Sequence, residues 1–399
     1  MNTERRLRLA IVGDRYDPAG GGAERSTLQT ARALAERGHD VTLFAGSGEP
    51  PTPDQRESNL AVRTYKPGRS SSVARLYGFA RWASRELALG GFDASLASTP
   101  VVPATVVQPR GGTVVETQLR NVALRKPGWG RTQKQLSLAL SPKQRLLRTL
   151  EARTYADPGV RRIAALSGYV ERQLQTHFNV APERIARIAN LAAPPAAGPQ
   201  ERAEQRRSFR RALGVDDNVT AFVFAAENPR LKGLPTLMRA LERLAPERPN
   251  LVVLLAGRIG FGVSEQAAER GVAQLIRPLG PTRRMDLLYA AGDAVVHPTH
   301  YDPSSKVVLE GLLYGLPAIT TTYNGAADHL LPPEAPAPRG IVLDDPADDA
   351  ALADALRTLS DPAELAEARN AIGDLTHQLS IDAHVQRLAA LLYACAEEA

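Results

Sequence analysis

The sequence predicts an α/β protein built from two doubly wound domains, and three observations carry that prediction. Each half of the 399-residue chain holds short, wholly apolar runs that read as strands buried on both faces. Loops and helical stretches with apolar spacings of three and four follow these runs. Between the halves, LAAPPAAGPQ from Leu191 is proline-rich and small, the composition of a linker. The expected divisions are 1–190, a linker at 191–203, a second domain at 204–375, and a C-terminal helix at 376–399 placed to cross back to the first domain.

Leu7, Leu9, Ile11 and Val12 form the first strand, which ends at Gly13. The loop DRYDPAGGGAERS follows. Leu28, Ala31, Leu34 and Ala35 then mark one buried helix face, and Gly38 stops the helix. Asp40–Ala45 is the next strand, so the chain opens with a βαβ unit of parallel strands and right-handed crossover. Ala94–Ala97, Thr105–Val107 and Arg162–Leu166 read as further strands, the last before a helix from Tyr169 to Phe178. Beyond the linker, Ala221–Ala225 is a strand and Leu234–Leu244 a helix. LVVLLAG from Leu251 is a doubly buried strand. Ala294–His297 and Ala318–Thr321 are strands that flank a helix, Lys306–Tyr314. The stretch from Asp348 to Ala399 is helical in pattern and acidic. Ligands of such folds sit outside the carboxyl ends of the strands, here in a cleft between the two domains.

Composition excludes several classes. Hydrophobic residues at 43% and charged residues at 23% are ordinary for a globular protein. Cys395 is the single cysteine, which leaves no intramolecular disulfide or Cys-rich zinc site and suits a reducing compartment. The N-terminus MNTERRLRLAIVG lacks the pattern of a signal peptide, and no window offers the ~18 apolar residues of a membrane span. A cytoplasmic location is expected, peripheral on the inner face of the plasma membrane if the basic run described next docks there.

The net charge of +6 hides an asymmetry. Residues 1–200 carry 29 Lys and Arg against 16 Asp and Glu, and the remainder carries 20 against 27. The densest basic run lies between Glu116 and Glu151. It contains Arg120, Arg125, Lys126, Arg131, Lys134, Lys143, Arg145 and Arg148, with Trp129 inside it and no acid. It is either a solvated helix face or a surface for anionic lipid heads or phosphorylated glycans. Nucleic acid is not an expected partner, because Trp129 is the only aromatic in the run and no nucleic-acid-binding pattern accompanies it.

The chemistry concentrates in HPTHYDPSSKVVLEGLLYGLPAITTTYNGAADH, from His297 to His329. Ser304 and Ser305 precede a helix whose free amides and positive dipole end suit phosphate oxygens, and Lys306 adds a cation. Glu310 sits amid apolar neighbours one turn into that helix. An ionised carboxylate there costs several kcal/mol unless it is paired. Two ribose hydroxyls would satisfy it, and so would Lys306 four residues earlier.

Asp302, seven intervening residues, Glu310 and a Gly-Pro stop resemble the signature of the retaining glycosyltransferases of family 4, which have the GT-B fold of two facing Rossmann-like domains. The longer string from Tyr301 looks most like the bacterial lipopolysaccharide-core glucosyltransferase branch. Gly20-Gly21-Gly22-Ala23-Glu24-Arg25 is similar to the family's Gly-Gly-Ala-Glu loop, and Asn228-Pro229-Arg230-Leu231-Lys232-Gly233 to its Arg-x-Lys-Gly element. LSGYVERQLQTHFNVAPERIARIAN, from Leu166, is similar to the segment that ends the N-terminal domain. The motifs run in order along nearly the whole chain.

The resemblance implies a hexosyltransferase that takes its sugar from a nucleotide diphosphate donor, UDP-linked in preference, without a metal or other cofactor. The acceptor it implies is an anionic glycan or glycolipid. Arg230 and Lys232 would hold the donor diphosphate, Glu310 the ribose, and Asp302 the hydroxyls of the transferred sugar. Amides around Ser304, Ser305 and Lys306 would cradle phosphates, and Gly21 and Gly22 would let the N-terminal loop approach the donor. Acceptor or membrane contact would fall to Arg110, Arg120, Arg125, Lys126, Trp129 and Arg131. Front-face departure of the diphosphate is what the family implies.

Two departures stand out. The acidic pair usually starts with Glu and here starts with Asp302. The stretch where many members carry a His reads Gln108-Pro109-Arg110-Gly111-Gly112, so Arg110 either takes that place or is a loop arginine. His297, His300 and Asp302 also hint at a metal site, but no third strong ligand group lies near them in sequence. A nucleotide-sugar epimerase of the same fold and a degenerate, non-catalytic nucleotide-sugar binder are the competing readings.

Overall fold

The computed structural model describes residues 5–398 apart from 19, 21, 53–56, 69–70, 248, 260–261 and 333–336. The chain forms two units. The first runs to Leu191 and resumes at Ser380, and the second is Ala192–Leu379.

The first unit holds seven parallel strands: β1 (Arg8–Gly13), β2 (Asp40–Ala45), β3 (Leu60–Thr64), β4 (Ala94–Ala97), β5 (Val106–Val107), β6 (Arg162–Ala165) and β7 (Ile185–Arg187). Their order is β3-β2-β1-β4-β5-β6-β7. Leu9 lies opposite Val41 of β2 on one side and Ala94 of β4 on the other. The order therefore reverses beside β1, and the loops that leave β1 and β4 frame a switch point. β1 is buried on both faces after Arg8, which is why it reads as continuous apolar sequence rather than alternating.

The second unit repeats the plan with β8 (Thr220–Ala226), β9 (Leu251–Gly257), β10 (Ile276–Gly280), β11 (Ala294–Val296), β12 (Ala318–Thr321) and β13 (Gly340–Leu343). The order is β10-β9-β8-β11-β12-β13, all pairs parallel. The switch point lies between β8 and β11. All seven residues of β8 are buried.

Two helices bear on the division of the chain. Helix Pro199–Ala212 begins inside the proline-rich stretch, because Pro199 sits at the helix start, where its missing N–H is not needed. Helix Ile381–Glu397 belongs to the first unit, where Val385, Leu388, Leu392 and Cys395 join the core formed by Leu7, Leu9 and Leu34. Ala192 donates its amide to the Leu379 carbonyl at 2.8 Å, so the two passages of the chain between units run side by side.

Candidate active site

Two loops meet at the switch point of the second sheet. The first leaves β8 as Glu227–Gly233. Gly233 has φ +87°, and a Cβ there would lie 2.0 Å from the Pro298 carbonyl oxygen. Only glycine allows this approach of the two loops. The His300 amide then donates to the Leu231 carbonyl at 2.9 Å, which ties the second loop to the first.

This contact aligns Lys232 with Asp302, neighbours that lie 70 residues apart in sequence. Lys232 Nζ donates to Asp302 Oδ2 at 2.5 Å and to the Tyr301 carbonyl at 3.0 Å. The pair is half-buried, so its attraction is screened less than that of a surface pair. Arg230 is exposed, and its guanidinium has no hydrogen-bond or ion-pair partner among the described residues.

The second loop is braced from within. Asp302 Oδ1 accepts the Ser304 amide at 3.1 Å, and Asn324 Oδ1 accepts the Ser305 amide at 3.2 Å. Asn324, which reaches in from beyond β12, was not singled out in the sequence, although it stands in the same motif stretch. The two serine amides expected to cradle phosphates are thus engaged by side chains. Lys306 opens helix Lys306–Leu313 and is half-buried. His297, beneath this loop, is 1% exposed. Burial first, and the Lys232 charge second, pull its imidazole down to about 3, so it stays neutral. Among the described residues no three His, Cys, Asp or Glu side chains gather as a metal site.

Glu310 stands one turn into the helix and is half-buried. Tyr289, 2% exposed, donates its hydroxyl to Glu310 Oε2 at 2.9 Å. Burial and the Glu310 charge hold that phenol well above its ordinary range, so it remains a donor. Tyr289 orients the carboxylate, a role the sequence did not disclose.

In the first unit, Gly20 closes a turn on the Asp17 carbonyl at 3.0 Å, and Gly22 opens helix Gly22–Glu36. Gly21 lies outside the described residues. A groove of about 720 Å³ lies at the carboxyl ends of β1, β2 and β3, with Arg15, Tyr16, Tyr65 and Lys66 on its walls. Gly48, at φ +108°, packs so close to the Tyr16 carbonyl that a Cβ would lie 2.1 Å from its oxygen. None of these residues was singled out in the sequence.

Arg110 turns inward. It is 8% exposed, and its guanidinium reaches Thr30 Oγ1 at 3.1 Å, Asn190 Oδ1 at 3.4 Å and His384 Nε2 at 3.3 Å. Burial pulls its pKa down to about 9, so it is still a cation at neutral pH. His384 donates Nδ1–H to the Ala189 carbonyl at 2.7 Å and accepts from Arg110 at Nε2, which assigns its tautomer.

The basic run forms three helices, Val114–Ala123, Trp129–Leu140 and Pro142–Ala156. Trp129–Leu140 buries no residue, and Trp129, Leu136 and Leu140 are exposed. Several cations are internal braces. Arg120 pairs with Glu116 at 2.6 Å, Arg125 donates to the Asn121 carbonyl, and Arg131 to the Arg125 carbonyl. Lys126, Lys143, Arg145 and Arg148 face solvent.

Comparison with known proteins fits this geometry. A model described as Glycosyltransferase Family 4 matches residues 20–194, and one described as Glycosyl transferases group 1 matches residues 205–374. The lipopolysaccharide glucosyltransferase WaaG of Escherichia coli strain K12 is 22% identical over 369 residues, covering 88% of this chain and 90% of that one. An uncharacterized glycosyltransferase of Methanocaldococcus jannaschii is 26% identical over 167 residues, and the match spans 41% of this chain and only 43% of that relative. The crystal structure of WaaG superposes with a TM-score of 0.74 at 19% identity, covering 96% of this chain and 99% of that one. Anabaena HepE in complex with UDP-glucose gives 0.68 at 16% identity, covering 98% and 100%. These structures share the architecture of two doubly wound units.

Proposed function

Because the chain belongs to the family 4 glycosyltransferases of GT-B fold, we propose that it is a retaining hexosyltransferase acting on a nucleotide diphosphate sugar, UDP-linked in preference, and an envelope glycolipid or polysaccharide precursor. The observation that carries the reading is the Lys232–Asp302 pair at the switch point, with Glu310 one turn into the adjoining helix. WaaG is named a lipopolysaccharide glucosyltransferase, and HepE was solved with UDP-glucose, which supports the donor and acceptor classes.

In this proposal Glu310, oriented by Tyr289, accepts the two ribose hydroxyls. The diphosphate competes with Asp302 for Lys232 and meets Arg230, whose fork suits phosphate oxygens. Asp302, released, accepts from hydroxyls of the sugar. The bond from the anomeric carbon to the diphosphate oxygen breaks as a bond to the acceptor oxygen forms on the same face. The acceptor proton passes to the departing phosphate oxygen. Arg230 and Lys232 stabilise the charge that develops there. A metal has no role in the proposal. In the groove of the first unit Arg15 is paired with Asp17 and Glu49 shares the walls, which leaves Lys66 to meet an anionic acceptor, and solvent-facing Lys126, Lys143, Arg145 and Arg148, on either side of helix Trp129–Leu140, dock on anionic lipid.

A thermal-shift panel of UDP, GDP, ADP and their hexose derivatives, with and without EDTA, tests the donor site. A ligand at ~100 times its Kd adds about 2.7 kcal/mol. The expected result is an EDTA-insensitive rise with the UDP series, and no rise with any nucleotide would overturn the reading. The epimerase and degenerate-binder alternatives are not favoured. Consumption of donor only when acceptor is present separates transfer from both.

A further inference from the structure

The second unit carries another groove, and Tyr289, whose hydroxyl meets Glu310, stands on one of its walls. Two adjoining hollows of about 310 and 240 Å³ share Arg202, Tyr314, Gly315 and Arg369. Gly292 and Leu316 on its walls stand just before β11 and β12. The groove therefore opens at the amino ends of the strands, the opposite end of the sheet from Lys232 and Asp302.

Its charge is unbalanced. Arg206, Arg210 and Arg369 all reach the Asp293 carboxylate, at 2.8, 3.0 and 2.8 Å. Asp217 lies 3.8 Å from Arg210 and Asp374 lines the groove, so with Arg202 four guanidinium groups stand against three carboxylates. Arg206 also donates to the carbonyls of Ala290, Ala291 and Gly292, the negative end of helix Met285–Ala291, which offsets about half a charge. Arg202 is half-buried and has no hydrogen-bond or ion-pair partner for its guanidinium among the described residues. A half-buried cation with no ion-pair partner is a place where an anion lowers the free energy. The half-buried Tyr314 ring and Gly315 give the same groove an apolar wall.

We propose that this groove binds a small phosphate monoester, with its phosphoryl group on Arg202 and Arg369 and its carbon skeleton against Tyr314. Guanidinium forks match phosphoryl oxygens in geometry and charge. The aromatic face suits the C–H edge of a sugar better than it suits bare phosphate.

Titration calorimetry on the full chain, with inorganic phosphate and with glucose 6-phosphate, tests this. One saturable site is expected, with the sugar phosphate binding more tightly. Equal binding of the two would overturn the Tyr314 contact and assign the groove to free phosphate. Arg202→Ala should weaken binding by about tenfold or more, because a charge-assisted contact is lost. Its melting temperature should hold, since Arg202 braces nothing. Arg230→Ala, which strips the donor site of a cation, should leave the titration unchanged. Absence of binding, unchanged binding in Arg202→Ala, or loss of binding in Arg230→Ala would overturn the proposal. The last result would leave the donor-site reading standing, so the two ideas fail separately.

Discussion

Glu310 shows how one side chain joins sequence, packing and chemistry. It lies one turn into a helix whose inner face is apolar, and Tyr289 fixes one of its oxygens at 2.9 Å. Glu310→Ala should reduce transfer to background while the fold persists, and wild-type turnover in that variant would remove its ribose role. Tyr289→Phe should mainly raise the donor KM, by a factor of about ten at most, as expected for one neutral donor lost from a carboxylate. His297 makes a different prediction. Its imidazole titrates near 6.5 when unfolded and at about 3 when folded. The unfolded chain therefore binds the proton first on acidification. The contribution of His297 to stability is full above pH 6.5 and falls by about 1.4 kcal/mol for each pH unit below it, down to about pH 3, as linkage requires. Denaturation of His297→Gln between pH 4 and pH 7 should lack that fall. The sequence singled out Arg230, Lys232, Asp302 and Glu310 as candidates because they stand in local motifs. It did not disclose Tyr289 or the Lys232–Asp302 contact, because pairing across 70 residues is decided by how two loops pack.

At the scale of elements, the helices Val114–Ala123, Trp129–Leu140 and Pro142–Ala156 divide their charges between bracing and display. Arg125 and Arg131 hold backbone carbonyls, so reversing them would unsettle the helices rather than report on lipid. Lys126→Glu with Arg145→Glu is the cleaner test. Each cation near an anionic bilayer is worth about 1 kcal/mol, so binding to vesicles containing anionic lipid should drop by one to two orders of magnitude at low salt. Retained binding would dismiss the docking surface. Glu151, fully buried, accepts the Val114 amide at 2.7 Å and so pins the first of these helices to the third. Burial raises its carboxyl from 4.5 to about 7. The folded protein therefore holds that proton longer than the unfolded chain, and this contribution to stability is lost as pH rises from 4.5 to 7. Glu151→Gln keeps the bond to Val114 without an ionisable group, so its chemical-denaturation midpoint should lack the loss between pH 5 and pH 7. The doubly buried strands β1, β8 and β9 were legible as apolar runs. The edge strands β3 and β10 were not, because Leu60–Thr64 and Ile276–Gly280 mix polar residues and a proline into short segments that other strands complete.

For the whole molecule, the division of the chain matters more than either sheet. The second unit is continuous, and the first is assembled from both ends. Truncation after Leu379 would expose Leu7, Leu9 and Leu34 and remove Val385, Leu388 and Leu392 from their core. Each buried aliphatic side chain contributes about 1.5–3 kcal/mol, so the loss consumes most of the ~5–15 kcal/mol that keeps a domain folded. Limited proteolysis of the truncated chain should digest the first unit and spare the second. Equal resistance of both would contradict the packing of helix Ile381–Glu397.

That closing helix also sets an order of events during synthesis. The first 191 residues leave the ribosome without the segment that seals their core, and the second unit emerges complete while they wait. At about 5–20 residues per second the wait is on the order of 10–40 s. Through that interval the nascent first unit presents an open apolar seam, a natural substrate for a holding chaperone, and it is sealed only once helix Ile381–Glu397 has been made.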